Sequence, residues 1–157
     1  MKKMTNGVRK MNLSRVLLGG ALSGLVLNIG EYVLNHIVVA QLSPGAGTEP
    51  ASAEFSVGQI ASGVAIMFVF GLALIWIYAA IRPRFGPGPK TAVIAGLAVW
   101  SIAWLLTGAS FINVGIFPAD QMLVSIIWGL VEVPLAAIAG AWLYREDDAG
   151  CIENPNW

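Results

Sequence analysis

Four blocks of apolar sequence, each long enough to cross a bilayer core of about 30 Å, leave this chain little choice of environment. They fall at residues 13–40, 57–82, 91–115 and 119–144. In hydrocarbon the backbone N–H and C=O groups have to be satisfied within the chain, so blocks of this kind read as helices. The expected architecture is an all-α integral membrane four-helix bundle with short connections, a single transmembrane domain over 1–157. Composition agrees, with 57% hydrophobic and only 11% charged residues, against about 25% charged in ordinary globular chains.

The basic residues set the expected orientation. Lys2, Lys3, Arg9, Lys10 and Arg15 precede or open span one, Arg82, Arg84 and Lys90 flank the link between spans two and three, and Arg145 follows span four. The other two connections, residues 41–56 and 116–119, carry none. Cytoplasmic loops are the ones enriched in Lys and Arg, so both termini are expected in the cytoplasm, in a bacterial-type inner membrane. The net charge of zero gives no reason to expect a nucleic-acid partner. The partners expected are the lipid bilayer and other membrane subunits or a second copy.

The basic start followed by an apolar run resembles a signal peptide, but the run is too long, and it reads as an uncleaved first span. Cys151 is a lone thiol in the tail, and the absence of CxxC argues against thioredoxin-like redox chemistry. In the link RPRFGPGPKT, Pro83, Pro87 and Pro89 are expected to end one helix and start the next. Its GPGPKT lacks phosphate-loop spacing.

Against this background two glutamates stand out. Glu31 and Glu132 lie within spans, and no lysine or arginine sits mid-span to neutralise them. An ionisable group at that depth marks a functional site by default. At 100° per residue, Gly20, Gly24, Asn28, Glu31 and Asn35 form one stripe on span one. Ser125, Gly129, Glu132, Ala136 and Gly140 form a matching stripe on span four, and Pro134 is expected to bend that helix beside Glu132. Glu31 and Glu132 lie ~13 and ~18 Å from the outer ends of their spans.

The other polar span residues also gather in the outer half. The expectation is therefore an apolar cytoplasmic plug and an outward-facing polar pocket. Glu31, Glu132, Asn28 and Asn35 are the candidate ligand-binding or proton-exchange residues. His36, Ser62, Trp104, Thr107, Ser125 and Trp128 are the candidate lining. Trp76, Tyr78, Trp142 and Tyr144 read as an interfacial aromatic belt. With no cation nearby, the two carboxyls either are protonated and hydrogen-bonded to Asn28, Asn35 or Trp128, or await a cationic ligand. His36 is the one candidate counter-ion, but it lies about 140° around the helix from Glu31.

The residues name neither a metal nor a cofactor. Glu-x-x-His pairs of the kind used by di-metal bundles are missing, and no nucleophile has an assigned base. Three functions fit, in this order: a small-ligand or cation binding protein acting as a proton-linked transporter component, a non-catalytic accessory or scaffolding subunit of a larger membrane complex, and an intramembrane enzyme.

Overall fold

The computed structural model describes residues 11–38 and 56–144. The basic leader before Met11, the connection over 39–55, Arg145 and Cys151 lie outside the described residues. Four helices are long and apolar enough to cross a membrane: span one, Leu13–His36; span two, Val57–Phe85; span three, Pro89–Asn113; and span four, Ala119–Leu143. Among the described residues there is no strand.

The helix ends follow from local chemistry. Asn12 caps span one by accepting from the Arg15 N–H at 3.2 Å. Ser56 and Gln59 close a reciprocal capping box on span two, satisfying two donors that a helix start otherwise leaves free. Pro89 opens span three at its first position, where its missing N–H costs nothing. Pro83 departs from expectation. It sits inside span two, which continues to Phe85. The helix stops instead at Gly86, whose φ of 82° only glycine adopts freely, with its N–H closing on Arg82 O at 2.8 Å. A proline so near the end of a helix interrupts only the last turn, and the glycine decides the terminus.

The spans run alternately up and down. Gly20 and Gly24 of span one meet Leu72 and Phe68 of span two, while Gly19 and Gly30 meet Gly140 and Glu132 of span four. Gly96 of span three meets Pro134 of span four, and Gly108 meets Met122 and Ile126. Span one packs chiefly on spans two and four, and span three chiefly on span four. Small residues carry these contacts because, in lipid, close backbone approach replaces the hydrophobic drive that packs helices in water. The first and last helices are therefore neighbours.

The core lies toward the end that carries Arg15, Arg82, Arg84 and Lys90, here called the basic end. Val16, Leu74, Ile75, Ala79, Ala92, Ala95 and Ala137 pack there. Tyr78 and Tyr144, expected in an interfacial belt, belong to this core at 2% exposure each. They meet edge to face at 5.8 Å, and the Tyr78 hydroxyl accepts from Gly88 N at 3.3 Å. The Tyr78 tip thus has a partner in the tight turn, which makes its burial acceptable. Trp76 and Trp142 are exposed. At the far end the bundle opens, and residues 57–66 of span two are exposed throughout.

Candidate functional site

Glu132 stands at the middle of span four and is only 6% exposed. Its carboxyl lies directly against the backbone of Gly30 on span one, where any Cβ would collide with Oε1. Both carboxyl oxygens are buried without a hydrogen-bond partner. The Trp128 indole, one turn away on the same helix, is the donor nearest in kind, but its buried Nε1 closes no bond.

Glu31 is half-buried on span one. Asn35 donates to its Oε2 at 3.4 Å and to its backbone O at 2.8 Å. The Trp104 indole reaches toward it from span three. The two carboxyls are close enough for their charges to interact. Two acids from the first and last helices therefore share one neighbourhood, and the described spans place no lysine or arginine beside them.

Two π-helical turns frame this pair. One covers Leu34–Val38 at the end of span one and the other Ser101–Leu106 in span three. A π turn adds a residue to one turn and is frequent at functional sites. The second contains Trp104, which lies on Gly129, where a Cβ would stand 2.6 Å from Cδ1, and against Phe70 with ring centroids 5.5 Å apart. Trp100, just before that turn, ties span three to span four by donating to Ile126 O at 2.9 Å.

Beside Glu132 a groove of about 620 Å³ runs between spans one and four. Val26, Ile29, Gly30 and Val33 form one wall, and Val124, Ile127, Trp128, Val131 and Leu135 the other. Its lining comes from spans one and four alone, so it opens on the outside of the bundle, where Ile29, Ile127, Val131 and Leu135 are exposed.

The candidate residues divide around this groove. Glu132 and Trp128 line it. Glu31, Asn35 and Trp104 adjoin through the carboxyl pair. Asn28 donates to Gly24 O at 2.8 Å and to Val64 O of span two at 3.4 Å. His36 stacks on Tyr32 with ring centroids 4.2 Å apart and is exposed. Ser62, Thr107 and Ser125 bond to carbonyls of their own helices, at Gln59, Ile102 and Gln121. Hydroxyls that turn back on their own backbone offer little to a pocket, and the groove itself is apolar but for Glu132 and Trp128. Gly30 and the valine and isoleucine walls are not among the candidate site residues read from the sequence. Among the described residues no three His, Cys, Asp or Glu side chains group as a metal site would require. No protein-family model, no curated protein and no solved structure matches the chain.

Proposed function

We propose that this chain is a multi-pass inner-membrane protein, both termini cytoplasmic, whose Glu31–Glu132 pair binds a small cation or cationic ligand in exchange for protons, as a component of a proton-linked transporter. The basic end of the bundle is then its cytoplasmic face, and Asn35 orients Glu31. The observation that carries this reading is the Glu132 carboxyl, buried beside a second acid with both oxygens unpartnered. Such an arrangement is costly to maintain unless a proton or a cation occupies it in use.

The test is the melting temperature of the full chain in phosphatidylcholine nanodiscs, across pH and in sodium, rubidium and ammonium chlorides. Wild type is expected to shift with pH or cation, and Glu31→Gln and Glu132→Gln to lose that shift. Identical curves for all three proteins would refute the reading. Reporter fusions at each terminus check the orientation.

A second reading draws support from span two. Its first ten residues are exposed, Val57 at 85%, a surface suited to partner helices in an accessory subunit. Co-purification with a larger complex in mild detergent is its expected signature, and a stable isolated monomer counts against it.

A further inference from the structure

We infer that the groove between spans one and four admits a lipophilic organic cation directly from the hydrocarbon layer, with its charge at Glu132 and its apolar body between the valine and isoleucine walls. This rests on the carboxyl-pair reading and adds the class of ligand and its route.

The volume, about 620 Å³, falls in the range of roughly 300–1,000 Å³ typical of small-molecule sites. Such sites pair apolar walls with few polar groups, and here the polar groups are the Glu132 carboxyl and the Trp128 indole. Glu132 is more than nine-tenths buried and has no partner for either oxygen. An indole beside a carboxylate suits a diffuse organic charge, which also gains from the ring face.

Other occupants fit worse. A calcium or magnesium ion needs a shell of six or more oxygens, and among the groove's lining side chains only Glu132 carries any. An anion meets a carboxyl. A plain lipid tail fills the walls but leaves the carboxyl unpartnered. A helix from a second copy brings no cation, because no lysine or arginine lies mid-span in this sequence. The route follows from position, since the mouth is rimmed by exposed Ile29, Ile127, Val131 and Leu135.

The probe is tetraphenylphosphonium, a permanently charged lipophilic cation, with uncharged triphenylphosphine oxide as its control. Binding to the full chain in phosphatidylcholine nanodiscs is measured by isothermal titration. Saturable phosphonium binding is expected, at least tenfold tighter than the oxide. Glu132→Gln is expected to weaken it at least tenfold. Val131→Trp and Ile127→Trp, which fill the groove from its exposed rim, are expected to block it. Equal affinity for phosphonium and oxide overturns the proposal, because charge is then not read. Undiminished phosphonium binding in both tryptophan variants overturns the route. If wild type ignores phosphonium yet melts in a pH- or sodium-dependent way that the glutamine variants lose, this inference fails and the carboxyl-pair reading stands. If that dependence is missing too, both fail.

Discussion

Gly30→Ala separates what holds the bundle together from what holds the carboxyl in place. The added Cβ would land on Glu132 Oε1 and stand 3.0 Å from its Cγ, where ordinary contact begins at 3.4 Å. The obstructing atoms are the far end of a flexible side chain, so the carboxyl swings away and the helices stay. An off-rotamer side chain costs ~0.5–1.5 kcal/mol. Replacing a mid-helix glycine by alanine returns about 1 kcal/mol. The net change in stability is thus expected within about 1 kcal/mol of zero. Binding should suffer more. Moving a carboxylate from about 4 to about 5.5 Å from a bound charge, at an effective dielectric near 20, lowers the attraction from about 4 to about 3 kcal/mol. That is a roughly fivefold to tenfold loss of affinity. Circular-dichroism melting in nanodiscs reads the first quantity and phosphonium titration the second. Wild-type affinity in Gly30→Ala would refute the idea that Gly30 seats the carboxyl. A loss of stability beyond about 3 kcal/mol would refute it differently, by making Gly30 a packing residue.

Three further outcomes follow from the same geometry. Gly71→Ala places a Cβ against Gly24 N and Gly20 O, and 2.7 Å from Gly24 Cα. Backbone cannot step aside, so a loss of about 1–3 kcal/mol is expected in denaturant unfolding. Gly63→Ala on the same helix has nothing within 4 Å of its Cβ and should be neutral or up to ~1 kcal/mol more stable; similar losses in both would sink the argument. Ser23→Ala removes a buried bond to Ala136 O at 2.7 Å and should cost ~0.6 kcal/mol, at most ~2, by the same unfolding assay. Thr91→Val removes the bond to Gly86 O at 2.7 Å at the tight turn; a loss of about 1 kcal/mol and easier proteolysis of that turn are expected.

The four spans were legible because hydrocarbon thickness imposes a length that few other constraints imitate. Pro89 and the small-residue pair Gly20 and Gly24 could also be read, since each acts through local chemistry that spacing reveals. The glutamates announced themselves as charges without partners. What escaped was phase. A steady 100° per residue gives span one a single stripe through Gly20 and Gly24, whereas the bundle also uses the face one residue over, where Gly19, Ser23 and Gly30 meet span four. The π turn at Ser101–Leu106 shifts the phase of span three in the same way. Asn28 and Asn35 each donate to the carbonyl four residues back, as a polar side chain inside a helix can, and of the two it is Asn35 that also reaches a carboxyl, at Glu31 Oε2. Pro83 misled because a proline only two residues from the helix end disturbs almost nothing.

The contact between Gly30 and Glu132 has a consequence for how this protein is made. It joins the first helix to the last. A chain emerging N-terminus first presents Gly30 and Glu31 to the membrane long before span four has been synthesised. Until then Gly30 lacks the carboxyl that packs on it and Glu31 lacks the second acid of its neighbourhood. The site therefore forms only as a final act of assembly, when span four closes against span one. A chain arrested after span three has three of the four spans and only one of the two acids.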